Sequence, residues 1–270
     1  METTMPTQYN TVLSIAGSDS GGGAGIQADI KSISANGGYA ATVITATTAQ
    51  STQGVFEVHG IPLAHVEAQL NAVLEDIEFG AVKIGMLHSV EVIELIEKAI
   101  ERYKIKNIVL DPVMVSTSGK KLLNDDAIEG LKRLMPKLLL ITPNVPEAEV
   151  LVGHAINRKN MEVSAQELGE KYKVSVLLKG GHLELGERMT DILYLKESQK
   201  VVTITLPTIK SNNTHGTGCT LSSSIATHIS LGCELEEAVR KGCGYVNRAI
   251  DAGKNKVLGK GKGPVNHSLC

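Results

Sequence analysis

The stretch "SNNTHGTGCTLSSSIATHIS", Ser211 to Ser230, places a thiol where two glycines and a helix start converge. Gly216 and Gly218 let the backbone turn its N–H groups toward one point without Cβ interference. The helix that follows adds unsatisfied N–H groups and the positive end of its dipole. Gly216, Thr217 and Gly218 thus have the makings of an anion hole, and phosphate is the natural guest. Cys219 falls in the first helical turn, where a thiolate is stabilised and the thiol pKa is expected to drop. Taken alone, the motif reads more readily as a tight turn with Cys219 as a small packing residue, since glycines mark turns far more often than ligands. A His215/Cys219 metal pair is weaker still, because His215 precedes the helix and no other His/Cys pair has ligand spacing.

The two familiar nucleotide cradles are absent. A dinucleotide fingerprint requires glycine where Ile26 and Leu221 stand. A Walker-type phosphate loop requires glycine where Met114, Arg248, Lys254 and Lys256 stand. A nucleotide-handling role would need a different cradle.

The elements that must position these residues alternate along the chain. "TVLSIAG" (11–17), "YAATVITATTAQ", "AVKIG", "NIVLDPV", "LLLITP" and "VSVLLKGG" read as strands. "VFEVHG" reads as a short strand, and "DILYLK" with "KVVTITLP" as a hairpin. Helices are expected within 25–38 with Gly37-Gly38 past the end, from Pro62 to about Glu78, over Ser89–Tyr103 and Asn124–Met135, around 146–152 and 163–172, then over Gly216–Leu231 and Glu234–Ala252. Such alternation predicts one α/β domain over residues 1–270, a mostly parallel sheet with helices on both faces. Ligands in such sheets bind at the carboxyl ends of strands, and four loops gather there: 17–25, 110–114, 142–149 and 214–219.

Composition narrows the partners. A net charge of −2, 3% aromatic residues and no tryptophan offer neither a field nor stacking platforms for nucleic acid. The polar start "METTMPTQYN" lacks the pattern of a signal peptide, and no membrane span is expected. Cytoplasm is the default compartment. Cys219, Cys233, Cys243 and Cys270 form no C-x-x-C pair, so neither a disulfide scaffold nor a zinc site is indicated. The lysines at 254, 256, 260 and 262 read as a solvated, mobile tail.

Seven motifs in order, "SIAGSDSGGGAGIQADIK", "TAQSTQGV", "KIGML", "LDPVM....G..L", "TPNVPEAE", "LLKGGH" and "NTHGTGCTLS", resemble the hydroxymethylpyrimidine/phosphomethylpyrimidine kinases of thiamine biosynthesis. These are ribokinase-like three-layer α/β sandwiches close to the pyridoxine kinases, and the resemblance runs from Val12 to the tail motif "KGPVNH". It implies ATP and Mg²⁺, with a monovalent cation as a further candidate, two successive phosphoryl transfers at one site, and a homodimer. Gly216, Thr217 and Gly218 resemble the hole for the transferred group. Cys219 resembles the residue beside the substrate's hydroxymethyl group. Asn144 and Glu147 match the N-x-x-E motif for Mg²⁺, with Asp111 near the same metal and phosphates. Lys179 resembles the lysine at the ATP phosphates. Asp19 and Gln50 resemble polar contacts to an aminopyrimidine, with Ala16, Met86 and Val113 as apolar walls. A pyridoxine/pyridoxal kinase, alone or as a second activity, is the nearest alternative. Loops 17–25 and 211–217 are expected to close over the substrate.

Overall fold

A computed structural model describes residues 7–114, 125–181, 183 and 186–269. Asn124, Gly119, Leu122, His182 and Cys270, each part of a sequence expectation above, lie outside the described residues.

Among the described residues nine strands form one sheet in the order β3-β2-β1-β4-β5-β6-β7-β8-β9. The strands are β1 (Thr11–Asp19), β2 (Tyr39–Ser51), β3 (Gly54–Gly60), β4 (Ala81–Ile84), β5 (Ile108–Leu110), β6 (Leu140–Ile141), β7 (Ser175–Leu178), β8 (Arg188–Leu195) and β9 (Lys200–Pro207). From β2 to β7 all neighbours are parallel, while β3, β8 and β9 join antiparallel at the two edges. The β8–β9 hairpin and the mixed edges match the sequence expectation. Parallel neighbours need crossovers, and among the described residues eight α-helices are present: α1 (Gly25–Ala35), α2 (Leu63–Leu74), α3 (Val90–Tyr103), α4 (Asp125–Leu134), α5 (Val145–Val152), α6 (Met161–Tyr172), α7 (Thr217–Ser230) and α8 (Leu235–Gly253).

Strand alternation divides the core into two layers. Leu13, Ile15, Val82, Ile84, Ile108 and Leu110 point into a cluster with residues of α2 to α6. Their sequence neighbours Val12, Ala81 and Val109 point the other way, against Ile33 of α1, Ile225 of α7 and Val246 of α8. Because strand side chains alternate faces, both sides of the sheet are buried, as continuous apolar strands require. Helix ends follow local chemistry. Ser89 caps α3 by accepting from the Val92 N–H, and α5 begins in a capping box between Asn144 and Glu147. α1 ends at Ala35, with Gly37 at φ +87 just past its end as the sequence reading expects. α2 is shorter than that reading, stopping at Leu74 rather than about Glu78.

The tail differs from its expectation. The 254–262 stretch is exposed, yet Gly261 and Lys262 donate backbone bonds to Thr52, and the His215 N–H donates to the Gly263 carbonyl. Val265 and His267 are buried, and Nε2 of His267 lies 2.9 Å from the Thr220 hydroxyl. Glycine and lysine content suggested solvation; "PVNH" supplies the anchor that composition alone does not reveal.

Candidate active site

Each strand of the parallel core delivers a side chain to the same rim. Asp19 ends β1, Gln50 lies near the end of β2, Met86 follows β4, Asp111 follows β5, Asn144 follows β6 and Lys179 follows β7. Together with Ala16, Val113, Glu147 and residues 216–219 they line one cavity of about 760 Å³. All the site residues expected from sequence therefore meet in one place. They lie at the carboxyl ends of the strands, where loops converge in a parallel sheet.

The glycine loop forms the tightest part. Gly216, the residue before α7, has φ +81, and a Cβ there would fall 1.8 Å from the Gly23 carbonyl oxygen. A Cβ on Gly218 would lie 2.8 Å from Asp111 Oδ2 and 3.5 Å from Lys179 Nζ. Glycine is what permits the helix start to approach both charged groups. Of the loop's N–H groups, Thr217 donates to the Thr214 carbonyl at 3.3 Å. Among the described residues no backbone acceptor pairs with those of Gly216, Gly218 or Cys219. Three donors thus remain for an anion, and they differ from the expected set in that Cys219 stands in for Thr217.

Beside the loop, Lys179 Nζ lies 2.9 Å from Asp111 Oδ1, and both side chains are largely buried. Thr142 Oγ1 donates to the same Asp111 oxygen at 3.3 Å. Glu147 shares this corner. Its Oε2 accepts the Asn144 N–H at 2.8 Å, while Asn144 Oδ1 accepts the Glu147 N–H at 2.9 Å. The N-x-x-E motif is therefore a helix cap as well as a cavity wall. Burial raises the Glu147 carboxyl to about 7, with Asp111 adding to the rise and Lys179 opposing it.

Cys219 corrects a sequence expectation. Its thiol is not lowered by the helix start but raised to about 11, chiefly by burial, with Asp29 and Asp111 adding to the rise. Lys83 and the Gly25 N–H pull in the opposite direction. A dipole end offers only about half a charge, so desolvation and two carboxylates outweigh it here.

At the other end, Asp19 is buried and its carboxylate accepts from Gly21 at 2.8 Å, Gly23 at 3.0 Å and Ala24 at 2.8 Å. His215 Nε2 lies 3.0 Å from Asp19 Oδ2 and 3.2 Å from Gln50 Nε2. Burial works against the Asp19 charge, but His215 and the backbone donors outweigh it and hold the carboxyl below its usual range. Asp19 organises the 20–24 loop first; any ligand contact would be shared. Gln50 accepts from Thr48 Oγ1 at 3.1 Å. The Met86 methyl packs where a Gly17 Cβ would stand, giving an apolar wall with Ala16 and Val113.

Two groups of cavity residues escaped the sequence reading. As a side chain His215 enters the sequence reading only as a metal partner for Cys219, although its place in the 211–217 loop, just before a glycine cradle, points to the pocket. The second group is an apolar slot of Pro207, Ile209, Leu221, Val246 and Ile250 beyond Lys179. Its one legible trace is the pair Val246 and Ile250 at helical i, i+4 spacing on α8, which looks like ordinary core.

An anion cradle between a lysine–carboxylate pair and a half-polar pocket is what a small-molecule kinase requires, and sequence comparison decides which. Residues 19–266 match the family described as phosphomethylpyrimidine kinase. The chain belongs to that family. Within the phosphomethylpyrimidine kinase family, it is 45% identical over 258 residues to the hydroxymethylpyrimidine/phosphomethylpyrimidine kinase of Rhizobium meliloti, covering 94% of this chain and 96% of that one. It is 46% identical over 267 residues to the thiamine biosynthesis bifunctional protein of Geobacter sulfurreducens, covering 98% of this chain and spanning 54% of that longer relative. The fold is ribokinase-like: an ADP complex of Bacillus subtilis pyridoxal kinase superposes with a TM-score of 0.88 at 32% identity, over 97% of this chain and 98% of that one.

Proposed function

We propose that the protein transfers the γ-phosphoryl group of ATP to the hydroxymethyl oxygen of 4-amino-5-hydroxymethyl-2-methylpyrimidine. A second transfer to the resulting monophosphate then gives the diphosphate for thiamine diphosphate biosynthesis. The observation that carries this reading is the group of three N–H donors at 216, 218 and 219, unpaired with backbone acceptors between Lys179 and the Asp19/Gln50 pocket. Relatives named hydroxymethylpyrimidine/phosphomethylpyrimidine kinase, at 40% and 45% identity over nearly the whole chain, support the substrate.

Phosphoryl transfer depends on positioning and on neutralising charge at peripheral oxygens. Lys179 would meet the ATP phosphates, exchanging part of its contact with Asp111. The loop N–H groups would hold the γ-phosphoryl in line with the acceptor. The apolar slot at Pro207, Ile209 and Val246 suits the adenine ring. Gln50 offers both a donor and an acceptor, which fits a ring amino group beside a ring nitrogen. Cys219 would orient the alcohol and take its proton from the small thiolate population that a pKa of about 11 allows. The monophosphate is already anionic and needs no such help.

Asp111 and Glu147 give an oxygen donor set suited to Mg²⁺, a hard cation that usually keeps waters and phosphate oxygens as its other ligands. Among the described residues no group of three or more His, Cys, Asp or Glu forms a protein cage, which agrees with such partial coordination. Bound there, Mg²⁺ would neutralise phosphate charge.

Residues 1–270 act in this reading as one domain, supported by the one sheet that the described strands share. A homodimer is carried over from the resemblance, and cytoplasm remains the default compartment. Pyridoxal phosphorylation is the second reading, favoured by the overlay on pyridoxal kinase. ATP turnover of the pyrimidine alcohol, its monophosphate and pyridoxal, measured side by side, tests both. Higher kcat/KM for the two pyrimidines supports the proposal; turnover of pyridoxal alone overturns it.

A further inference from the structure

Lys83 and Asp29 form a fully buried ion pair beneath the cavity. Neither side chain has exposed surface, and Lys83 Nζ lies 2.8 and 2.7 Å from the two Asp29 oxygens. Asp29 also accepts from Ser14 Oγ at 2.6 Å and Ser223 Oγ at 2.7 Å, so its oxygens are well satisfied. The ammonium is not. It has three donors, and its bonds to Asp29 leave one over.

A pair this deep is poor evidence for stability, since removing two charges from water costs about as much as their attraction returns. Its location is more informative. Lys83 sits on β4, whose carboxyl end feeds the cavity, and it is one of the cavity-lining residues. The ammonium curls toward that end, because a Cβ on Gly85 would fall 2.8 Å from Nζ. Ser223 lies four residues after Cys219 on α7, so the hydroxyl that holds Asp29 and the thiol share one helix face. Burial disfavours the charged lysine, yet Asp29, Cys219 and Asp111 raise its pKa above the ordinary range, and it stays a cation. No other side-chain charge acts to lower the Cys219 thiol as much.

We propose that Lys83 is a positioning residue for phosphorylation of the alcohol, its remaining N–H aimed by Asp29, Ser14 and Ser223 at the cavity floor beside Cys219. There it steadies the negative charge on the sulfur before that sulfur takes the hydroxymethyl proton. In the step itself the alcohol oxygen bonds to the γ-phosphorus, the proton passes to the Cys219 thiolate, and the β–γ bridging oxygen departs with its electron pair on ADP. The inference rests on the role given to Cys219 above.

The test uses the double variant Lys83→Met/Asp29→Asn, because Lys83→Met alone would strand a buried carboxylate. Two readouts separate the inference from the functional reading. Alkylation of Cys219 by iodoacetamide at pH 7.5, followed on its own peptide, needs no substrate and should slow about tenfold, in line with loss of a nearby charge. Single-turnover transfer to the alcohol should fall roughly 10²-fold, the scale of losing one donor at a developing charge, while transfer to the monophosphate changes less than about threefold. Ser223→Ala, which leaves the pair in place, should show the same selectivity at roughly threefold if the double variant folds poorly. Unchanged alkylation, or equal losses on both substrates, overturns the inference. Slowed alkylation in a protein whose parent phosphorylates neither pyrimidine would retain the Lys83–Cys219 link and sink the functional reading instead.

Discussion

His215 and Asp19 lie 196 positions apart in sequence and 3.0 Å apart in space. Their contact ties the glycine-rich loop after β1 to the loop that opens into α7, and the tail backbone at Gly263 holds His215 from behind. The two loops expected to close over substrate are thus joined at the Asp19/Gln50 end of the cavity. Replacing His215 by Ala removes a hydrogen bond to a carboxylate, an interaction of about 1.5–3 kcal/mol. The KM for the pyrimidine alcohol should rise about tenfold or more with a smaller change in kcat, as steady-state kinetics would read. An unchanged KM would remove His215 from the pocket's organisation.

Cys219→Ala should separate the two transfers. The alcohol must lose a proton and the monophosphate need not, so the first rate should fall by roughly 10²-fold or more and the second by less than about tenfold. Rapid-quench measurement on each substrate would decide; comparable losses would take Cys219 out of proton transfer.

Glu147→Gln keeps the shape of the α5 capping box but removes the charge that faces Asp111 and Lys179. Both transfers use the same metal in this account, so both should slow, with a raised Mg²⁺ requirement. A titration of rate against Mg²⁺ that overlays the parent's on either substrate would count against the assignment.

Asp191 offers a pH test of stability. Its carboxyl is raised to about 6 by burial, against the Gly180 N–H, Lys179 and Cys243. A raised acid contributes stability that is complete below its unfolded pKa, near 4, and is lost as pH rises through about 6. Asp191→Asn keeps the acceptor for Gly180 and removes the buried charge. Urea unfolding should therefore show the variant gaining on the parent between pH 4 and pH 7, by up to about 3 kcal/mol. A constant difference across that range would contradict the buried-charge assignment.

His267 gives the opposite sign. Burial, with Lys31 adding, lowers it to about 4, so its contribution is complete above the ordinary histidine value and fades as pH falls through about 4. The docked tail should resist limited proteolysis at pH 7 and be cut roughly tenfold faster at pH 5. His267→Ala should be cut quickly at both.

Much of the architecture was legible because the code for it is local. Alternating β-branched runs and helical stripes announce strand and helix without reference to the rest of the chain, although on α1 only Ile26 and Ile33 are buried and Ile30 is exposed. Glycine at 216 and 218 announced a close approach, and the structure supplies the partners, Gly23 and Asp111. What stayed hidden depends on meetings between distant segments. No spacing links Lys83 to Asp29 and Ser223, or His215 to Asp19. The Cys219 thiol was misjudged for the same reason: the helix start is visible in sequence, but the burial and carboxylates that overrule it are not. The tail was misjudged because four residues, Pro264 to His267, anchor a stretch whose composition otherwise speaks for solvent.

The claim on which all else depends is that the N–H groups at 216, 218 and 219 receive the migrating phosphoryl group. A crystal structure with ADP, aluminium fluoride and the pyrimidine alcohol would test it directly. The account predicts a planar fluoride anion within hydrogen-bond distance of the Gly218 and Cys219 nitrogens, between the ADP β-phosphate and the hydroxymethyl oxygen. An anion seated elsewhere in the cavity, with those nitrogens facing only solvent, would contradict it.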